Sequence, residues 1–366
     1  MTGSRPGRRR PAAARRRRRL RQVRAGVLLG AAIAAVLLVS SGGPPRPAGG
    51  PAEHAASAAT GDESRAGTVG PPLTTLAAPD RAAPPVLRGS SAPPATKAPS
   101  DAASAAGHAI DPSEFSRGAC VAFPPITGNR HLTVFLDAGH GGIDPGAVGA
   151  TSSGHTVYEA HQTLPVELDT MALLRRDGFR VVVSRTRNSS VVRLTPNDIS
   201  GRFLSVKGAH ADVAARDVCA NDAHASLLVG IYFDGGSTPS NAGCVTGYDA
   251  VRSFSADNLR FARLLQHDVL SAMNARGWWI PDEGVVRDQY LGSAVSSQAT
   301  AYGHLLLLGP AKRGYFGTPS RMPGALIEPL FVTDPLEADI EASATGHEVI
   351  AQGIARAVEA YYSRAD

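Results

Sequence analysis

No Phe, Tyr or Trp occurs before Phe115 in this chain of 366 residues. Large apolar side chains supply the burial that offsets chain entropy, so a leading segment without aromatics lacks the means to fold alone. One globular domain is expected, over residues 119–366, long enough for a sizeable core.

The leading segment has an order of its own. Residues 1–24 form a basic region with 11 arginines and no acidic group, and residues 25–41 open on an uncharged apolar run, AGVLLGAAIAAVLLV. Basic residues followed by an apolar run of this length match the h-region of a signal peptide, or an N-terminal membrane anchor with its charges inside. Residues 42–118 hold 13 of the 27 prolines, with Ala, Gly and Ser filling most of the rest. Such chain is extended and stiff, a disordered linker able to carry a domain away from a membrane. The arm's arginines outnumber the formal net charge of +5, so the remainder is mildly acidic and the charge gives no argument for nucleic acid. An extracytoplasmic location in the cell envelope follows, secreted or anchored by the N-terminal segment. Cys120, Cys219 and Cys244 all lie in the exported part, where oxidising conditions allow one disulfide and leave one thiol over.

From Thr133 onward, short apolar runs alternate with stretches of helical spacing, the pattern of an α/β domain on a mostly parallel or mixed central sheet flanked by helices. Strands are expected at 133–137, 179–184, 226–234 and 325–332, and helices at 164–176, 206–223, 255–276 and about 346–362. Ligand sites in such sheets gather at the carboxyl ends of strands. That rule selects His140 after the first strand, Tyr232 and Asp234 at the end of the third, and Glu328 in the last. The segment VFLDAGHGGIDPGAVG, from Val134 to Gly149, surrounds His140 with glycines that leave its imidazole uncovered, as a metal ligand or catalytic base requires.

This segment resembles the opening motif of the zinc-dependent N-acetylmuramoyl-L-alanine amidases. Glu159 in VYEAHQTL stands where that family has its glutamate ligand. Arg216, Ala220 and Asn221 precede the third strand as in the family, and LIEPLFVTDPLEADI is similar to its last strand, with the catalytic glutamate at Glu328. The similarity covers about residues 131–363. It implies Zn2+ held by His140, Glu159 and a third ligand, water activated on the metal, and Glu328 as general base in cleavage of the amide between N-acetylmuramic acid and L-alanine of the stem peptide. Peptidoglycan or muropeptides would be the partners.

At the third ligand the sequence departs from the family. Where the family reads Ser-Ile-His-Ala-Asn, this chain reads Gly230, Ile231, Tyr232, Phe233, Asp234. Tyr232 is placed as the third metal ligand, as phenolate, with Asp234, His155 or His161 as substitutes, or with no catalytic metal at all. A phenol has to lose a proton of pKa near 10 to bind zinc well, at neutral pH a real cost. Two functions follow: an active amidase, or an amidase-like domain that binds wall peptides or regulates another hydrolase. The long connection 284–323 carries Tyr290, Tyr302, Tyr315 and Phe316, which either shape a substrate groove or cap a further strand at 304–308.

Overall fold

The computed structural model describes residues 107–111, 113–291 and 297–363. The basic arm, the apolar run and most of the expected linker lie outside the described residues. Among the described residues, no helix is long and apolar enough to cross a membrane.

In chain order the strands are β1 (His108–Ala109), β2 (Ala119–Phe123), β3 (Thr133–Ala138), β4 (Val148–Ala150), β5 (Thr156–Tyr158), β6 (Arg180–Arg185), β7 (Ile199–Ser200), β8 (Phe203–Leu204), β9 (Leu227–Ile231), β10 (Cys244–Tyr248), β11 (Asp282–Arg287) and β12 (Gly324–Glu328). The helices are α1 (Glu159–Arg176), α2 (Val206–Asp222), α3 (Ser255–Asn274), α4 (Ser297–Tyr302), α5 (Pro335–Glu341) and α6 (Ala344–Ser363). Eight strands form one mixed sheet in the order β1-β2-β6-β3-β9-β12-β10-β11. Its centre, β6-β3-β9-β12, is parallel, while β2 and β10 run antiparallel to the strands they flank.

Both faces of the central strands are buried, which is why they read as continuous apolar runs. Val134 and Leu136 of β3 join one core with Val166 and Leu174 of α1, Phe261 and Leu265 of α3, and Ile350 and Ile354 of α6. Phe135, between them in β3, points into a second core with Ala215, Cys219 and Ala220 of α2. The result is a three-layer α/β/α domain around a mixed sheet, as the alternation of elements predicts.

Three differences from the expected elements have local causes. Residues 108–111 and 113–118, expected in the linker, belong to the fold: β1 pairs with β2, and Phe115 is buried against Val191 and its neighbours. The strands expected to reach 234 and 332 stop at Ile231 and Glu328, because the chain leaves the sheet there; Asp234 and Phe331 keep only an isolated bridge. Residues 304–308 form turns rather than a strand. Tyr302, Tyr315 and Phe316 of that connection pack on one another and on α2, while Tyr290 is exposed: Tyr302 donates to the Pro310 carbonyl at 2.7 Å, and Tyr315 meets the His210 ring edge-on.

Cys120 of β2 is bridged to Cys219 of α2, and Cys244 remains a buried thiol. The bridge fastens the second helical layer to the sheet edge. Of the pairings the sequence allows, tertiary contact selects this one.

Candidate active site

The parallel centre of the sheet brings its strand ends together. Ala138 pairs with Ile231, and Ile231 with Ile327, so His140, Tyr232 and Glu328 emerge side by side. His140 follows β3 through Gly139, where an added Cβ would fall 2.5 Å from the Tyr232 ring. His140 itself has φ of 59°, a left-handed conformation that a non-glycine residue adopts at some cost and that is common at functional sites.

One ring nitrogen of His140, Nδ1, lies 2.8 Å from Asp144 Oδ2; the other, Nε2, lies 3.2 Å from Glu159 Oε2. A carboxylate on Nδ1 fixes the ring so that the Nε2 lone pair is presented, the arrangement usual for an imidazole that binds metal. Burial disfavours an imidazolium here, but the Asp144 and Glu159 carboxylates outweigh it and push the His140 pKa well above its ordinary value. Glu159 opens α1 at the positive end of the helix dipole and receives backbone N–H groups on both oxygens, from Phe233 at 3.0 Å and Ala147 at 2.8 Å. Its carboxylate is thereby aimed at His140. Gly146 makes room for the pair: with φ of 68°, it lies where a Cβ would come within 2.6 Å of Glu159 Oε2 and 2.7 Å of the His140 ring.

Zinc in a tetrahedral site binds nitrogen and oxygen at about 2.0–2.2 Å, which sets neighbouring donors roughly 3.3 Å apart. The spacing of His140 Nε2 and Glu159 Oε2 fits two corners of such a site. Among the described residues, no third imidazole, thiolate or carboxylate closes a compact donor set with these two.

Tyr232, expected at the third corner, has its hydroxyl on a neighbouring carboxylate. Its ring stands edge-on to His140 with centroids 5.5 Å apart, while its hydroxyl donates to Asp137 Oδ2 at 3.1 Å. Burial and the Asp137 charge push its pKa well above that of a free phenol. In this structure the Tyr232 hydroxyl is thus a hydrogen-bond donor to Asp137. Asp137 is in turn held by Arg216 of α2, whose Nη1 donates to Asp137 Oδ1 at 2.6 Å and to the Ala138 carbonyl at 2.7 Å, and whose Nη2 donates to Asp212 at 2.8 Å and to the His140 carbonyl at 2.9 Å. The alternative histidines are committed elsewhere: exposed His155 contacts Ser153 Oγ at 2.8 Å, and exposed His161 contacts Asn188 at 3.1 Å.

Glu328, at the end of β12, is buried, and its Oε2 has no hydrogen-bond partner. Burial, then the nearby Asp234 and Glu159 carboxylates, push its pKa well up. Asp234 is raised to about 7 by burial and by Glu159. Buried Glu328 thus feels the Asp234 and Glu159 carboxyls as well as His140, an excess of negative charge that protons or a cation has to balance. The motif reading found His140, Glu159 and Glu328 but assigned no role to Asp137, Asp144 or Arg216. Asp144 stands inside the motif quoted for His140, four residues on; the others serve the site only through contacts between distant segments.

A comparison of the chain with protein families matches residues 134–360 to the family described as N-acetylmuramoyl-L-alanine amidase. Among curated proteins, the N-acetylmuramoyl-L-alanine amidase AmiA of Salmonella typhimurium is 25% identical over 252 residues, covering 64% of this chain and 78% of the relative. An uncharacterised protein of Bacillus subtilis, YqiI, is 25% identical over 241 residues, covering 66% of this chain and 88% of its own length. Among solved structures, the N-acetylmuramoyl-L-alanine amidase AmiC2 of Nostoc punctiforme is similar with a TM-score of 0.45 and 20% identity, covering 65% of this chain and 100% of that one. With a family match that spans well over half of its residues, the chain belongs to the N-acetylmuramoyl-L-alanine amidase family.

Proposed function

We propose that this protein is an extracytoplasmic enzyme that hydrolyses the amide between N-acetylmuramic acid and L-alanine of the peptidoglycan stem peptide. The observation that carries the reading is the meeting of His140 Nε2 and Glu159 Oε2 at 3.2 Å at the strand ends, beside a buried Glu328 whose Oε2 has no partner. In this reading His140 and Glu159 hold zinc, with Asp144 orienting the imidazole, and Asp234 is the nearby carboxyl with the chemistry to replace the missing histidine. Zinc, when bound, supplies an acidified water and polarises the amide carbonyl.

Glu328 takes the proton of the attacking water as its oxygen bonds to the carbonyl carbon. It then gives that proton to the departing amide nitrogen as the C–N bond breaks. Its apolar setting suits both halves, since a raised pKa makes the carboxylate a stronger base toward the water and keeps the proton on it until the more basic leaving nitrogen takes it. Tyr232 and Arg216 hold the β3 end in place through Asp137. An uncleaved N-terminal segment would tether the domain to the membrane.

The Tyr232 hydroxyl on Asp137 favours a second reading, a domain that grips wall peptides without cutting them. The test is Glu328→Gln in the full chain, assayed for stem-peptide release from peptidoglycan. The enzyme reading expects a loss of about 10²–10⁴-fold with zinc content and fold retained. Wild-type chains that bind peptidoglycan, hold no zinc at His140 and release no peptide would establish the second reading instead.

A further inference from the structure

A second group of metal-ligand side chains lies at the opposite end of the sheet. Asp249 directly follows β10, Asp288 opens the 3-10 turn Asp288–Tyr290 after β11, and His304 stands in the turns after α4. β10 runs antiparallel to β12, with Val245 beside Glu328 and Gly247 beside Leu326, so its carboxyl end points away from the strand-end centre. Four residues of strand separate Asp249 from the level of Glu328, about 13 Å at 3.3 Å per residue.

One donor atom from each of these three residues lies within 4.8 Å of the others. His304 Nδ1 is 2.9 Å from Asp249 Oδ2 and 3.2 Å from Asp288 Oδ2. Both carboxylate side chains are buried, at 0% and 1% exposure, and the imidazole is 17% exposed. Asp249 spends Oδ1 on the N–H groups of Val251 and Arg252, at 2.8 and 2.9 Å, which fixes Oδ2 toward His304. That Oδ2 accepts no hydrogen bond. Asp288 Oδ2 receives the Leu305 N–H at 3.1 Å.

Protons and nearby cations do not settle this arrangement. A single Nδ1–H can serve only one of two facing carboxylates, and even an imidazolium leaves one buried negative charge over. The Arg252 guanidinium is turned onto the carbonyls of Leu308, Gly309 and Ser320. Burial and the Asp249 charge push Asp288 up to about 6. A cation between the three donors would satisfy Asp249 Oδ2, neutralise both carboxylates and use Nδ1 as a lone pair. One imidazole nitrogen with two carboxylate oxygens suits zinc or manganese better than magnesium or calcium, which prefer oxygen alone.

We infer that Asp249 Oδ2, Asp288 Oδ2 and His304 Nδ1 form a structural binding site for a divalent transition cation, separate from the strand-end centre. The cation ties the connection after β11 to the end of β10, beside the Arg252 hydrogen bonds to Leu308 and Gly309 and the apolar contacts of Leu291, Leu307 and Leu308.

The test is built in the full chain carrying His140→Ala, so that the nitrogen donor of the first centre is gone and the outcome does not depend on the amidase reading. Zinc is the probe, in equilibrium dialysis and thermal melts. His140→Ala should bind about one zinc per chain and melt higher with it. Adding His304→Ala should weaken that binding by at least tenfold and abolish the rise in melting temperature. Asp288→Asn, close in shape, should do the same if the histidine variant folds poorly. Equal zinc binding with and without these second substitutions, or no zinc-linked rise in the His140→Ala protein, overturns the site.

Discussion

On the His140 side of the strand-end centre, Glu159 takes a backbone N–H on each oxygen and still faces the imidazole at 3.2 Å. On the Tyr232 side, the phenol donates to Asp137, and Asp137 is neutralised by Arg216. The first flank sets an imidazole nitrogen against a carboxylate oxygen, whereas the second is a chain of phenol, carboxylate and guanidinium bonded to one another. A phenol, with a six-membered ring and a hydroxyl, reaches further than an imidazole, and here it ends on Asp137 of the Arg216 ion pair.

The most severe way to break the scaffold flank is Arg216→Ala. It would leave Asp137 and Asp212 buried without their cation and strip hydrogen bonds from the carbonyls of Ala138 and His140. Chemical denaturation should show a loss of about 3–5 kcal/mol. A loss below about 1 kcal/mol would mean that the ion pair is not what holds β3.

The helix that carries Arg216 is fastened by Cys120–Cys219, a bridge between residues 99 apart in sequence. Replacing both cysteines with alanine should cost about 2–5 kcal/mol, read from thermal melts. Reductant should lower the wild-type melting temperature and leave the double variant unmoved.

Beneath both flanks lies Glu167, fully buried, whose Oε1 accepts N–H groups from Ala138 and Ser184 while Oε2 has no partner. Burial pushes its pKa to about 8, from an ordinary value of 4.5. The unfolded chain ionises this group above about 4.5 while the folded protein keeps its proton, so its contribution to stability is full below that pH and is lost as pH rises toward 8. Glu167→Gln should remove that part of the slope, a few kcal/mol between the two ends by denaturant titration at several pH values. An unchanged slope would place the pH dependence elsewhere.

The smallest effect is expected from Tyr232→Phe, which deletes one hydrogen bond to a paired carboxylate and should cost about 1–2 kcal/mol. Its zinc binding should match the wild type. A clear fall in zinc affinity would restore the phenolate ligand and erase the contrast between the flanks.

The local signals of this chain were legible because they depend on neighbours in sequence. The glycines around His140, the apolar runs of β3 and β12, and the body of the helix expected from residue 164 each announce themselves within one element, although the helix begins earlier, at Glu159, and the sheet rule then brings His140 and Glu328 together. The direction of the Tyr232 hydroxyl was not legible, because it depends on Asp137 from β3 and Arg216 from α2, 95 and 16 residues away. The same holds for Asp249, Asp288 and His304, which no motif links and which meet only because β10 reverses direction beside β12. Sequence by itself determined the layers, the strand ends and the residues offered there, since periodicity and backbone freedom are properties of short segments. Tertiary structure alone decided which of those residues face an open position and which are spent neutralising one another, because a buried charge takes its partner from whatever the fold packs against it.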